Sequence, residues 1–431
     1  MRLINNLIIV NLNNKDYNTL LINGINGAIV AIDSEERCII NSWVNEAEIR
    51  PQTPKELSMY HILISKQFLL EGVEEEAKIK SSIIAQLKRK CINLDAESNI
   101  ACFILSYNCN FRCPYCYEAQ IAHHNILSED MVDRIFAINS QIEYISLFGG
   151  EPLLPSHKKI IEYIISKAPN AYYSVITNGY YLHEYLPILS KLNIKNIQVT
   201  LDGTEEYHNR TRITKNGSPT YSKIISGIKE CVQLNLPITI RMNISLENID
   251  NCYQAINDIK SQPWGHSIDF EMQPLFQYGA EQKEQLYKSL LSKDAKPKEN
   301  QIFQRMLPIS NYLMNGGKLL PIIRTCDAEQ KNRFYDPDGY IYNCILAVGH
   351  KEKAIGTFYP DFTLKKDSFI TRDITTIAQC KTCKYSLFCG GGCPNGLPCD
   401  SNLYTPNCAG MAAELEYLIP AVMKCRESFE E

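Results

Sequence analysis

Six short apolar segments, at residues 101–107, 144–148, 173–177, 197–201, 238–243 and 268–273, alternate with stretches of helical periodicity such as 157–167, 221–234 and 251–260. That alternation predicts parallel β/α units, because parallel strands need a long crossover between them and an amphipathic helix supplies it. The middle of the chain is thereby restricted to an α/β architecture. Six units suit a partial (β/α)6 TIM-like barrel, with functional side chains expected at the C-terminal ends of its strands.

The 431 residues exceed what one hydrophobic core serves, so further domains are expected on either side. Residues 7–12, 17–23 and 27–32 read as strands separated by Asn- and Gly-rich turns. Residues 34–46, 53–70 and 74–90 read as helices, the second opening on the capping signature Thr53-Pro54-Lys55-Glu56. This order predicts a winged-helix-like domain over residues 1–97, followed by the partial barrel over 98–300. Past a Lys- and Glu-rich helical stretch at 281–314 and the break Asn315-Gly316-Gly317, the chain turns cysteine-rich. Residues 301–431 are expected to form a third domain, held by metal and sparse in regular secondary structure.

A formal charge of −4 carries no basic footprint for nucleic acid or an anionic membrane. The first ten residues are too interrupted by Asn for a signal peptide, and no later segment reads as a bilayer span, so a cytoplasmic location is expected. Seventeen cysteines in such a chain point to metal or redox chemistry, since disulfides do not persist in that compartment.

The first cluster, Cys109, Cys113 and Cys116, has the spacing C-x3-C-x2-C and begins where the first barrel strand ends. Three thiolates so close in sequence can hold three irons of a four-iron cluster and leave the fourth open. A zinc knuckle is the alternative, with His123 or His124 as the fourth ligand. With Tyr115 between the last two cysteines, the segment resembles the C-x3-C-x-aromatic-C motif of the radical S-adenosylmethionine (SAM) superfamily. The resemblance implies reductive cleavage of SAM to methionine and a 5′-deoxyadenosyl radical, fed by an external one-electron reductant such as a flavodoxin or ferredoxin. Gly149, Gly150 and Glu151 stand where the family binds the SAM amine, and Asn178 lies in a turn resembling one near the cofactor. By the same resemblance Thr200 and Arg212 would hold polar groups of SAM, with Arg210 as the rival guanidinium.

Later cysteines fall in the order Cys326, Gly339, Cys344, then Cys380, Cys383, Cys389, Cys393, then Cys408, which resembles the SPASM domain, the auxiliary-cluster extension of radical SAM enzymes. Structural zinc sites are the alternative. The resemblance implies an outer cluster on Cys380, Cys383, Cys389 and Cys408 and an inner one on Cys326, Cys344 and Cys393. The inner set is one ligand short: Cys399 would complete it, or the fourth iron is left for a substrate thiolate. Three four-iron, four-sulfur clusters and SAM are thus the expected cofactors.

Enzymes of this architecture mostly modify ribosomally made peptides, and the N-terminal domain resembles the leader-recognition element of peptide maturases. The expected partner is a precursor peptide with a leader, bound by β-augmentation. The expected activity is hydrogen abstraction followed by crosslinking, a Cys thioether first. Carbon–carbon crosslinking and epimerisation fit the same residues. Anaerobic sulfatase maturases, which form formylglycine, are the close rival, but they carry a catalytic Asp immediately after the second SPASM cysteine, where this chain has Ile345. A non-enzymatic iron-sulfur or zinc scaffold is the remaining alternative.

Overall fold

The computed structural model describes residues 1–11, 18–90, 98–119, 121, 125–275, 282, 285–286, 289, 319–325, 332–365, 372–394 and 404–408. Two compact units divide the chain: one comprises Met1–Ile92, Gln277–Cys326 and Thr371–Glu431, the other Asn93–Phe276 and Asp327–Ile370.

The first unit opens with β1 (Arg2–Leu3), β2 (Leu7–Asn11), β3 (Thr19–Asn23) and β4 (Ile29–Ile32), the last three forming an antiparallel sheet with β3 in the middle. Helices α1 (Ser34–Trp43) and α2 (Pro54–Ser65) follow. A capping box starts α1: the Asp33 carboxylate accepts from Glu36 N at 2.7 Å, and Glu36 accepts from Asp33 N at 2.9 Å. Thr53 caps α2 with Pro54 in its first turn.

The expected helix over 53–70 is shorter, because Gln67 takes a left-handed φ of 59° and the chain then forms β5 (Leu69–Leu70) against β1. Phe68, Leu69 and Leu70 are all buried there, so strand pairing over the core outweighs their helical periodicity. Helix α3 (Val73–Lys90) presents Ile79, Ile83, Ile84 and Leu87 to a core with Ile25, Ile323, Ile374, Ile377 and Leu387. Segments assigned from sequence to separate domains therefore share apolar packing within this unit.

The second unit is an α/β fold on a ten-stranded sheet in the order β11-β10-β9-β8-β7-β6-β12-β13-β14-β15. Its strands β6 (Ile100–Ile104), β7 (Tyr144–Phe148), β8 (Tyr172–Thr177), β9 (Asn193–Thr200), β10 (Ile238–Ile244) and β11 (Asp269–Pro274) are parallel and match the six expected segments. Helices α4 (Glu129–Ile138), α5 (Lys158–Lys167), α6 (Leu182–Leu189), α7 (Glu205–Thr211), α8 (Tyr221–Gln233) and α9 (Ile249–Lys260) provide the crossovers. Among the described residues the sheet does not close on itself: β11 is one edge and β15 the other.

The cysteine-rich region holds more regular structure than expected. Strand β12 (Asn332–Tyr335) pairs in parallel with β6, and β13 (Tyr340–Tyr342), β14 (Gly356–Thr357) and β15 (Thr363–Leu364) continue as an antiparallel meander. Phe334 and Tyr342 are buried with Cys102, Ile104 and Phe148, so the sheet's existing core, rather than metal alone, orders this segment. Most of the helical stretch expected at 281–314 lies outside the described residues.

Candidate active site

A cavity of about 400 Å³ opens among the C-terminal ends of the parallel strands, within the range of small-molecule sites. Cys109, Cys113 and Cys116, on the loop after β6, line one wall. The loop is held by backbone bonds from Arg112 N to Ile213 O at 3.0 Å and from Cys116 N to Cys113 O at 3.3 Å. Burial pushes all three thiols up, Cys109 to about 12, while the nearby Arg212 opposes the shift. Metal ligation must then take protons off these sulfurs, with iron supplying the compensating charge.

Gly149 and Gly150 end β7 against this loop. A Cβ on Gly149, whose φ is +120°, would lie 2.4 Å from Ser106 O, and one on Gly150 would lie 2.4 Å from Asn108 O. Only glycine lets the two strand ends approach so closely. Glu151 is fully buried and faces away from bulk solvent, accepting from Leu153 N at 2.9 Å, Thr177 Oγ1 at 2.6 Å and Asn178 N at 2.7 Å. It joins the ends of β7 and β8. Burial raises its pKa and these three donors oppose the rise. Asn178 Nδ2 in turn donates to Asn110 Oδ1 at 2.8 Å and lies 3.8 Å from Cys109 Sγ.

Tyr115 donates to Asp202 and accepts from Arg212 Nη1 at 2.6 Å, while Arg212 and Asp202 stand 3.8 Å apart. The guanidinium is buried, and although burial works against its charge, Tyr115, Cys113 and Asp202 hold its pKa well above the usual arginine value. Its Nε has no partner among the described residues. Arg210 instead stacks on Tyr207, 5.3 Å from the ring centre. Thr200 ends β9 on the cavity wall.

The structure adds polar residues to the cavity that the sequence reading did not single out. Arg241 and Asn243 alternate along β10, and Gln273 stands on β11. Their period of two within apolar strands is the signal that could have found them. Glu118 lines the same space, its carboxyl raised to about 7 by burial and its Oε1 without a partner among the described residues. Ile345, after Cys344, also lines it.

In the first unit, Cys380, Cys383, Cys389 and Cys408 lie within electrostatic reach of one another. Burial pushes Cys380 up to about 11, reinforced by Cys383 and Cys408, and Cys389 to about 12, reinforced by Cys380, Cys408 and Cys383. Arg372 fastens this region by donating to Gly391 O at 2.7 Å, Gly392 O at 2.8 Å and Thr405 O at 3.1 Å. Gly390, Gly391 and Gly392 all have positive φ, a path that side chains would strain. From α3, Lys80 Nζ donates to Lys381 O at 3.1 Å. Cys344 follows β13 in the second unit, whereas Cys393 follows the glycine run in the first. Cys326, Cys399, His123 and His124 lie outside the described residues. Among the described residues, no three His, Cys, Asp or Glu side chains are grouped so as to hold one metal ion.

Residues 103–259 match the family model of the radical SAM superfamily. The chain carries a radical SAM domain. Enzymes of this superfamily use a four-iron, four-sulfur cluster and SAM. Three thiols on one wall, a glycine-lined approach and a cavity in front of them fit a cluster with one position left to a small chelating ligand. Beyond the domain, the chain is 25% identical over 328 residues to a cysteine-type anaerobic sulfatase-maturating enzyme of Clostridium novyi (strain NT), spanning 67% of this chain and 85% of that protein. It is 31% identical over 158 residues to a GTP 3′,8-cyclase of Nautilia profundicola, spanning 35% of this chain and 46% of the cyclase. The solved structure of native anSMEcpe with bound AdoMet and Kp18Cys peptide shares the fold with a TM-score of 0.57 at 18% identity, over 76% of this chain and 98% of that one. No described helix is long and apolar enough to cross a membrane.

Proposed function

We propose that this radical SAM enzyme is a peptide maturase carrying three four-iron, four-sulfur clusters. Cys109, Cys113 and Cys116 would hold the cluster that supplies the electron for SAM cleavage, giving a deoxyadenosyl radical that takes a hydrogen atom from a ribosomally made peptide. Gly149 and Gly150 keep backbone close to that loop, Glu151 positions Thr177 and Asn178, and Tyr115, Asp202 and Arg212 brace the loop from the side. Thr200 and Asn178 supply polar groups toward SAM. Cys380, Cys383, Cys389 and Cys408 would hold an outer auxiliary cluster, and Cys326, Cys344 and Cys393 an inner one, with Cys399 or a substrate thiolate as its fourth ligand.

The observation that carries the choice of reaction is Ile345 on the cavity wall. Sulfatase maturation calls for a carboxylate at that position to take a proton; an apolar side chain there favours a reaction that needs no such base from it, and thioether formation to Cys is the preferred outcome. The likeness to the Clostridium novyi protein keeps formylglycine formation as the second reading. A leader would add a strand to an edge of the β2-β3-β4 sheet, whose edge strands are β2 and β4.

Anaerobic reconstitution tests the cluster assignment: about twelve irons per chain are expected, with SAM converted to deoxyadenosine under a low-potential reductant. Replacing Cys109, Cys113 and Cys116 together by Ala should abolish deoxyadenosine and leave roughly two thirds of the iron. Iron for one cluster alone, or SAM cleavage by the triple variant, contradicts the assignment. Coexpression with small peptides encoded beside the gene then reads the reaction, because a thioether costs the peptide two hydrogens and leaves no free thiol on that cysteine.

A further inference from the structure

We propose that Arg241 is the carboxylate receptor of the cavity. This rests on the radical SAM maturase reading above and concerns how that site selects what it holds. Two guanidinium groups occur among the described residues that line the cavity, Arg212 and Arg241. They are placed differently. Arg212 is buried, donates to Tyr115 at 2.6 Å and has Asp202 3.8 Å away, so its charge and part of its donor set already serve the cluster loop. Arg241 is 36% exposed and makes no side-chain hydrogen bond among the described residues, its one charged neighbour being Glu271 at 3.9 Å.

A guanidinium presents five N–H donors in a planar fork, and a single carboxylate at hydrogen-bond distance satisfies at most one edge of it. Glu271 stands beyond that distance and receives Gln273 Nε2 at 3.1 Å instead. When a ligand fills the cavity and displaces water, the donors of Arg241 are left buried without acceptors unless the ligand brings them, an arrangement that costs binding. A carboxylate fits the fork in two parallel bonds. A dianion such as phosphate is disfavoured, because Glu271 already lies on one side of the cation.

Position supports the same assignment. Arg241 and Asn243 point the same way from β10, next to Gln273 on β11, and form a polar row in a cavity that Ile345 and Leu346 also line. Two ligands can bring the carboxylate: SAM itself, through its methionyl end, or an acidic residue next to the reacting residue of the peptide.

The test measures equilibrium binding to the anaerobically reconstituted holoenzyme, which does not depend on turnover. The probes are SAM, decarboxylated SAM, and a pair of capped hexapeptides in which a central Cys is followed by Asp or by Asn. In the wild type, either SAM should exceed decarboxylated SAM or the Asp peptide should exceed the Asn peptide by at least about tenfold, the size of a charge-assisted pair. Arg241→Gln should reduce whichever preference depends on the fork by about tenfold, and Arg241→Lys, which keeps the charge without the fork, should retain part of it. Loss of the SAM preference assigns the site to the cofactor, and loss of the Asp preference assigns it to the peptide. The proposal is overturned if neither pair is discriminated by the wild type, or if Arg241→Gln discriminates as the wild type does. Deoxyadenosine formation by the wild type without discrimination would overturn this inference and leave the radical SAM reading standing.

Discussion

The Tyr115 hydroxyl lies between Asp202 and Arg212, donating to the first and accepting from Arg212 Nη1 at 2.6 Å. Asp202 also accepts from Asn243 N at 3.0 Å, so the loop after β6, the end of β9 and strand β10 meet on one carboxylate. Tyr115→Phe leaves both partners buried with one bond fewer, and a loss of about 1–3 kcal/mol in unfolding free energy is expected. Arg212→Ala strands the Asp202 charge and should cost about 3–5 kcal/mol. Chemical denaturation of the anaerobic protein checks the order. Equal effects would mean that Asp202 does not depend on the guanidinium.

Gly149→Ala and Gly150→Ala should each push the cluster loop off β7, since the new methyl meets backbone oxygens at 2.4 Å that cannot rotate away. Iron bound by the first cluster should fall together with SAM affinity. Gly217→Ala is the control: Gly217 shares a positive φ of +84°, but no atom lies within 4 Å of where its new methyl would stand, so any loss there measures backbone strain alone.

Glu151→Gln replaces an acceptor of three hydrogen bonds by an amide that presents two donors to the same partners. A loss of about 1–3 kcal/mol is expected from the donor left unmatched. Thr177→Val removes one of the three donors and should cost less. A Glu151→Gln protein as stable as the wild type would indicate that the carboxyl is protonated in the fold.

The pH dependence should expose Asp336, which accepts from Tyr107 Oη at 2.9 Å and Tyr342 Oη at 3.2 Å. Burial raises its pKa from 3.8 to about 6, with the hydrogen bonds from Tyr340 N and Tyr107 opposing. A carboxyl raised in the fold contributes stability that is complete below its unfolded value and is lost as pH rises through the folded one. Wild type should therefore lose about 3 kcal/mol at most, relative to Asp336→Asn, between about pH 4 and pH 6. Parallel stability curves for the two proteins across that window would contradict the shift.

The six barrel strands were legible because apolar strands and amphipathic crossovers carry their own periodicities, as β7 and α5 do. The cysteine motif and the two glycines were legible as local signals at strand ends. Strand β5 was not, since Leu69 and Leu70 pair with Leu3 and Arg2 from the far side of α1 and α2, a partner that local pattern does not contain. Strands β12 and β13 were hidden for the same reason: Phe334 and Tyr342 find their core on β6 and β7. The role of Arg212 was partly legible. Its place in the cavity followed from the motif, but the hydroxyl of Tyr115 and the carboxylate of Asp202, which already engage it, belong to segments far apart in sequence.

Because β12 lies in register beside β6, with Tyr335 opposite Phe103, the sheet acts as a ruler between two cysteine loops. Cys109 follows the end of one strand and Cys344 follows the hairpin that leaves the other. A slip of two residues in that pairing would keep every side chain on its own face and yet carry the Cys344 segment about 7 Å along the strand direction. Lengthening the hairpin at Asp338 would leave the register intact. The spacing between the two cysteine loops is thus written in strand pairing, and insertions in this family of architectures should be tolerated in the turns of the meander and selected against inside β6 and β12.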